Sequence, residues 1–340
     1  MRTTILLAAL ACVSTAAAQN VKVTPLGSHA GELCARDRAT LFEDPTGVRI
    51  LYDAGHSLIG ADDPRLGNVH AVLVSHAHGD HIGDQKLKAL EAGTCATPEL
   101  VSAAPNSTSA EVAAAKNSAL VMIGQMAGFL GKKVETIKGR PTGNCPETNE
   151  VITAPLAAAC TAGVNLGGSR LVKVGDGKPV EITVVFASHD STMPRTLLSE
   201  AERKNLDADN VSLVLGPPSG YVIRFTNGLV VYLSGDTGMH TEMKTVVHDY
   251  HKANLMVLNL GYSALNAPAA GHIANDLVAP ASVIVSHVNE AGSVGGKVKP
   301  LSHTAAFVAQ VKGRPVYLAL SGKTMEFDGS GKCAAGCQAP

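Results

Sequence analysis

The sequence predicts an α/β fold in which short strands alternate with helices. Apolar runs rich in β-branched residues recur along the chain, and most of them end in turn residues. Several are followed by stretches in which apolar residues recur at helical spacing. With 340 residues, 45% of them apolar, the chain can bury a sizeable core. We therefore expect one large α/β domain over residues 19–340.

Residues 1–18 have the three parts of a secretory signal peptide. Arg2 supplies the positive charge, "ILLAALACV" is the apolar run, and "STAAAQN" offers small residues for cleavage after Ala18. An ordinary terminal helix or strand, or a lipoprotein acylated at Cys12, are the alternatives. No later run sustains the roughly 18 apolar residues of a membrane span. We therefore expect an exported protein, periplasmic or secreted, without stable membrane insertion.

The first half of the domain is predicted to begin with three strands. These are "VKVTPLG", "VRILYDAG" and "VHAVLVSHAHGDH". A helix is predicted in "DQKLKALEAG". A second, long helix is predicted in "STSAEVAAAKNSALVMIGQMAGFLG", with Gly131 as its stop.

The second half repeats the alternation of strands and helices. "VEITVVFASHD", "GYVIRFTNGLVVYLSGDTG", "ANLMVLNLG" and "ASVIVSHV" are predicted strands. Asn227 and Gly228 suit a hairpin turn with positive φ angles. Helices are expected around 238–252, 268–278 and 302–312.

Two stretches resist assignment to strands or helices. Residues 139–178 are rich in Gly, Pro and Cys, and residues 190–219 begin next to a candidate metal ligand. We expect both to be insertions in the domain.

Removal of the signal would leave six cysteines, and an even number in an exported chain predicts disulfides. They are Cys34, Cys95, Cys145, Cys160, Cys333 and Cys337. None belongs to a CxxC pair, which disfavours a thiolate zinc site. Many pairings are open. Cys145 could pair with Cys160 across an irregular stretch, and Cys333 could pair with Cys337 in a small C-terminal loop.

The segment "SHAHGDHIG" crowds three histidines and an aspartate directly after an apolar run. Histidine is the commonest metal ligand, and zinc accepts imidazole nitrogen and carboxylate oxygen. The spacing places His76 and His78 on one side of an extended segment. A turn through Gly79 lets Asp80 and His81 point to a second position. One loop can therefore supply two adjacent metals.

Three further strand ends supply polar side chains that would complete a dinuclear site. "VVFASHDS" offers His189, "YLSGDTG" offers Asp236, and "VIVSHVNE" offers His287. Asp236 suits a bridging position because a carboxylate has two oxygens. His272 in "AGHIAND" competes with His287 for the last position. We expect the remaining histidines to be ordinary surface or core residues: His56, His70, His240, His248, His251 and His303.

The order of Asp53 in "LYDAG", the HxHxDH motif and the three later ligands resembles the metallo-β-lactamase-fold superfamily. "PLGSHAG", "ILYDAG", "SHAHGDHIGD", "LSGDTG" and "GHIANDLVAPASVIVSHV" are most similar to its metal-dependent hydrolase branch, which includes ascorbate-phosphate-lactonase-like proteins. The similarity spans residues 21 to 320. It implies an α/β fold of the αββα type, a sandwich of two packed mixed β-sheets flanked by helices, with a dinuclear site at one edge.

The resemblance also implies a role for each candidate ligand. One metal would be bound by His76, His78 and His189, a second by Asp80, His81 and His287, with Asp236 between them. Asp53 would steady the HxHxDH loop. The expected cofactors are two divalent metal ions, with Zn²⁺ the first choice and Mn²⁺ or Fe the alternatives.

Two such cations sharing a water would make it acidic enough to supply hydroxide near neutral pH. Asp80 could orient the hydroxide as well as bind metal. His272 or His29 could donate a hydrogen bond to the developing negative charge. Tyr262 is a further pocket candidate, and Arg195 could hold a carboxylate or phosphate of the substrate.

The expected reaction is cleavage of a lactone or ester-type bond in a small molecule, as the resemblance implies. Phosphodiester or β-lactam hydrolysis is the alternative reaction, and an iron-dependent redox enzyme or a noncatalytic metal-binding protein is the alternative class. A net charge of −1 and the lack of a basic stretch argue against a nucleic-acid partner. The oligomeric state is left open.

Overall fold

Two β-sheets pack face to face in the computed structural model, which describes residues 19–261 and 264–340. In chain order the strands are β1 (Val21–Pro25), β2 (Thr40–Glu43), β3 (Arg49–Tyr52), β4 (Ala71–Leu73), β5 (Gln85–Leu87), β6 (Leu100–Ser102), β7 (Ala119–Ile123), β8 (Glu147–Thr148), β9 (Val151–Ala154), β10 (Cys160–Val164), β11 (Ser169–Val174), β12 (Val180–Phe186), β13 (Ser219–Arg224), β14 (Val230–Leu233), β15 (Leu255–Asn259), β16 (Ser282–Ser286), β17 (Ser293–Val294), β18 (Lys297–Val298), β19 (Val316–Leu318), β20 (Met325–Phe327) and β21 (Cys333–Ala335).

The helices flank these sheets. The α-helices are α1 (Gly79–Ile82), α2 (Thr108–Lys116), α3 (Gly124–Lys138), α4 (Glu200–Asp209), α5 (Ala267–His272) and α6 (His303–Val308). A 3₁₀ turn covers Arg195–Leu197, and wider π-helical segments cover Met243–Tyr250 and Ile273–Leu277. The second-half helices expected from the sequence are therefore present; the first and last are shorter than expected, and the middle one is shifted by one residue.

The first sheet has the strand order β10-β7-β4-β3-β2-β1-β20-β21, and the second has the order β19-β16-β15-β14-β13-β12-β11-β9-β8. Alternate residues of a strand face opposite sides, so the central strands of the first sheet, β2, β3, β4 and β7, contribute to two cores. In β4, Ala71 and Leu73 belong to the larger core shared with the second sheet. Val72 belongs to a smaller core that includes residues of α2 and α3. The αββα sandwich implied by the sequence is confirmed.

The prediction of a helix in "DQKLKALEAG" is wrong. Its first residues form β5, which pairs antiparallel with β6. Lys88 just beyond the strand bonds Glu99 across this pair at 2.7 Å. The partner strand satisfies the backbone groups of a segment too short to sustain a helix by itself.

The long helix predicted around "STSAEVAAAKNSALVMIGQMAGFLG" is also wrong, because it contains a buried strand. Asn117 ends α2 in the left-handed conformation, with a φ of 52°. The run "ALVMI" then forms β7 between β4 and β10, where every residue is buried. A fully apolar run suits a strand covered on both faces. Helix α3 continues past Gly131 and ends before Gly139.

The hairpin between β13 and β14 is present, but its turn differs from the prediction. Gly228 has a φ of 98°, whereas Asn227 does not have a positive φ. The Asn227 side chain instead accepts a hydrogen bond from the backbone N–H of Leu229 at 3.0 Å.

Residues 139–178, which resisted assignment in the sequence, extend both sheets. Strand β10 pairs with β7 in the first sheet, and β8, β9 and β11 lengthen the second. Residues 190–219 form a 3₁₀ turn and α4, and join β13. Helix α4 begins with a capping box between Ser199 and Glu202.

Three disulfides join Cys34 to Cys95, Cys145 to Cys160, and Cys333 to Cys337. The last two are the pairings suggested by the sequence. No helix in the described ranges is long and apolar enough to cross a membrane. The predicted signal peptide and Tyr262 lie outside the described residues.

Candidate metal centre

The candidate ligands emerge from strand ends at one edge of the sandwich. The HxHxDH segment follows β4, His189 follows β12, Asp236 follows β14, and His287 follows β16 directly. Strands β12, β14 and β16 run in the same direction, since β13 is antiparallel to both of its neighbours and β14 to β16 are parallel. Their carboxyl ends therefore meet at the same edge.

All seven residues predicted to bind metal are brought together there. Their ring nitrogens and carboxylate oxygens form three overlapping groups with atoms within 4.8 Å of one another: His76, His78 and His189; His76, His81 and Asp236; and Asp80, His81 and His287. Shared members join the three groups into one centre.

The spacing of these atoms suits divalent cations. The Nε2 atoms of His81 and His287 lie 3.0 Å apart, and each is within 3.5 Å of an oxygen of Asp236. An oxygen of Asp80 lies 3.3 Å from the same His287 nitrogen. The Nε2 of His76 is buried and has no hydrogen-bond partner among the described residues. Buried nitrogens aimed at one another and at carboxylates are the donor set that zinc-like ions prefer.

Electrostatics favour the metal-binding protonation states of His76 and Asp236. Burial holds the pKa of His76 well below its usual value, which keeps its ring neutral. Burial opposes ionisation of Asp236, but the neighbouring His287 and His81 nevertheless hold its pKa well below the ordinary range. Against the effect of burial, the carboxylates of Asp236 and Asp53 raise the pKa of His81. A cation arriving here would displace the proton on that ring.

Asp53 supports the HxHxDH loop from behind. Its Oδ2 lies 2.7 Å from Nδ1 of His81 and accepts a hydrogen bond from the Ser75 hydroxyl at 2.8 Å. Its Oδ1 accepts the Ser75 backbone N–H. When Nδ1 of His81 carries the proton, Nε2 is left free to bind a cation. Asp53 has a φ of 43°, an unusual backbone conformation for a non-glycine residue at the end of β3.

Asp190 is a neighbour of the centre that the sequence interpretation missed. Its Oδ2 lies 3.1 Å from Nε2 of His78, and its Oδ1 accepts a hydrogen bond from Thr192. With Nε2 of His78 engaged, Nδ1 is the atom left for a metal. The signal available in the sequence was its place directly after His189 in "SHDS".

Arg38 and Asn259 also contact the candidate ligands. The buried guanidinium of Arg38 donates two hydrogen bonds of 3.0 Å to Oδ2 of Asp80. The amide of Asn259 donates to Oδ1 of Asp236 at 3.1 Å. Neither residue belongs to a recognisable motif, because the contacts depend on packing between distant segments.

The other predicted site residues lie apart from the cluster. His272 is half exposed on α5 and bonds Asp276, one turn later, at 2.7 Å. Arg195 pairs with Asp207 of α4. The His29 ring hydrogen-bonds the hydroxyl of Ser28, its neighbour in sequence. Each side chain is held by a local partner, so the structure does not place these three residues where the proposed roles require them.

Comparison with known proteins agrees with this geometry. No protein-family model matches the chain. A UPF0173 metal-dependent hydrolase of Koribacter versatilis is 24% identical over 260 residues, which cover 76% of this chain and 83% of the relative. Another from Cupriavidus taiwanensis is 27% identical over 234 residues, 68% of this chain and 63% of the relative.

Among solved structures, Igni18, a metallo hydrolase from the archaeon Ignicoccus hospitalis, aligns with a TM-score of 0.53 and 20% identity. The alignment covers 91% of this chain and 99% of Igni18. The chain therefore has the metallo-β-lactamase fold, and the relatives that it resembles in sequence are named metal-dependent hydrolases.

Proposed function

We propose that this protein is an exported hydrolase that uses two divalent cations, zinc by first choice, to cleave a lactone or ester-type bond in a small molecule. One observation carries the proposal. The Nε2 atoms of His81 and His287 face each other at 3.0 Å with both oxygens of Asp236 beside them. Crowding imidazole nitrogens and carboxylate oxygens at such distances in a buried site is costly unless cations are bound.

Two groups of side chains would hold the cations. One group consists of His76, His78 and His189, the other of Asp80, His81 and His287, and Asp236 would serve both. When bound, the cations would supply Lewis acidity, which lowers the pKa of a water molecule and polarises the bond under attack.

The remaining contacts keep these ligands in place. Asp53 fixes the ring of His81, and Asn259 holds one oxygen of Asp236. Arg38 neutralises part of the negative charge that Asp80 and Asp236 bring to one place. These bonds preorganise the centre, so little rearrangement is needed during the reaction.

Two further parts of the proposal rest on other observations. Three disulfides support export, because disulfides persist in oxidising compartments. The preference for a lactone or ester over a phosphodiester or β-lactam rests on the similarity of the sequence motifs to the lactonase-like branch.

The test is a panel of chromogenic lactones, esters, phosphodiesters and β-lactams, run on the purified protein with its metals quantified. We expect lactone or ester hydrolysis that disappears with chelation and returns with added Zn²⁺. His76→Ala and Asp236→Ala should abolish it while the fold is retained. His251→Ala, a histidine outside the centre, is the matched control. Undiminished turnover by metal-stripped protein would refute the proposal.

A further inference from the structure

A polar cavity of about 590 Å³ adjoins Asp80. Its walls include Arg36, His56, Asp84, Pro194 and Asn289. The volume lies within the usual range for small-molecule sites, about 300–1,000 Å³. Because Asp80 is a candidate metal ligand, a molecule in this cavity would lie beside the reaction centre.

Arg36 is a charged residue of this cavity whose side chain has no intramolecular partner in the described ranges. Its side chain is exposed and forms no ion pair or hydrogen bond within residues 19–261 and 264–340. Arg38, two residues later, is instead buried and bound to Asp80. The backbone around Arg36 is fixed, since Cys34 is joined to Cys95 and the N–H of Ala35 donates to the Cys95 carbonyl at 2.9 Å.

The two carboxylates of the cavity are already paired. Arg38 bonds Asp80, and Asp84 has partners on both of its oxygens: His56 at 2.8 Å and the Thr196 hydroxyl at 2.9 Å. Arg36 therefore leaves a guanidinium at the cavity wall that has no partner in the described ranges and can bind an anionic group of a ligand.

His56 supplies a second observation that points to a polar ligand. It lines the cavity, is only 5% exposed, and is held in one orientation by Asp84. Its Nδ1 atom has no partner in the described part of the chain. Buried polar atoms are normally hydrogen-bonded, so an unsatisfied one in a cavity wall indicates a missing polar partner.

We propose that Arg36 binds a carboxylate group of the substrate, so that the enzyme acts on small, polar lactones or esters that carry an acid. A guanidinium binds a carboxylate through two parallel hydrogen bonds. A single guanidinium suits a monoanion, whereas a phosphate monoester would bring a second negative charge towards Asp80 and Asp84. This inference rests on the proposed hydrolase function.

The test compares two esters with the same scissile bond, one with a free carboxylate and one with a primary amide in its place. We expect the wild type to prefer the acid. Arg36→Gln should lower kcat/KM for the acid at least tenfold, mainly through KM, and lower it much less for the amide, whose neutral oxygen accepts a weaker hydrogen bond. Arg36→Lys should recover part of the loss. Arg140→Gln, at an exposed arginine outside this cavity, is the control.

The outcomes separate this inference from the proposed function. Equal activity on both esters, an equal effect of Arg36→Gln on both, or a preference for a phosphorylated analogue would overturn the role of Arg36 while leaving the hydrolase intact. If the wild type cleaves no ester or lactone, the proposed function fails. Calorimetry with a hydroxy acid then tests the role of Arg36 separately. Binding to the wild type that is lost in Arg36→Gln supports the carboxylate site, and no binding to the wild type overturns it.

Discussion

Replacement of Asp53 by asparagine is expected to weaken cation binding by disturbing a single imidazole. Asp53 accepts hydrogen bonds and lies 2.7 Å from Nδ1 of His81. An asparagine would keep its carbonyl oxygen towards the backbone N–H of Ser75, which places the amide NH₂ against His81. That donor favours a proton on Nε2 of His81, the atom that faces His287 and Asp236.

The size of the effect follows from the number of bonds that change. The bond from the Ser75 N–H survives, and the Ser75 hydroxyl can accept where it formerly donated, so the loss falls on the His81 bond. Loss of one such supporting hydrogen bond typically lowers metal affinity by about 10- to 100-fold. This corresponds to about 1.4 to 2.8 kcal/mol of binding free energy.

Competition between the protein and a chromogenic chelator for Zn²⁺ measures this change directly. Asp44→Asn is the matched control, because Asp44 is a buried aspartate whose carboxylate accepts from Thr46 and Thr226, not from a candidate ligand. We expect reduced affinity in Asp53→Asn and wild-type affinity in Asp44→Asn. Unchanged affinity in Asp53→Asn, or an equal loss in both variants, would refute the reasoning.

Three further predictions concern other parts of the structure. Asp190→Asn should lower Zn²⁺ affinity up to roughly tenfold in the same competition assay. This effect is smaller than that of Asp53→Asn because the Asp190 side chain is 56% exposed. A loss of affinity larger than that of Asp53→Asn would contradict the ranking. Removal of the Cys145–Cys160 disulfide by serine at both positions should lower the free energy of unfolding by about 3 kcal/mol, since it opens a loop with a sequence separation of 15; identical denaturant midpoints would count against it. Burial raises the pKa of Asp37 from 3.8 to about 6, so its protonated form is favoured in the fold, and the stability it contributes below pH 4 is lost as the pH rises through 6. Between pH 4 and 7 the wild type should lose up to about 3 kcal/mol of stability relative to Asp37→Asn; a constant difference would show that Asp37 titrates normally.

The convergence of the candidate ligands could be predicted from sequence because each of these residues follows an apolar run. A polar residue that ends such a run must emerge at the edge of a sheet, and the HxHxDH spacing suits two metals. The disulfide between Cys145 and Cys160 could also be predicted, because the two cysteines flank one irregular stretch of sequence.

The errors came from features that depend on partners distant in sequence. The run "ALVMI" has no period that separates a buried strand from a helix, and the neighbouring strands β4 and β10 decide its conformation. Arg38 and Asn259 reach the centre only through tertiary packing. His272 was assigned a role from its neighbours in sequence, whereas α5 places it on an exposed surface beside Asp276.

The central claim is that side chains from separate strands converge on a pair of divalent cations. Elemental analysis of the protein, purified without added metal or chelator and paired with an accurate protein concentration, tests it most directly. We expect two divalent cations per chain, with a clear loss in Asp236→Ala because that carboxylate would serve both. Fewer than two in the wild type after equilibration with Zn²⁺, or two retained in folded Asp236→Ala, would contradict the account.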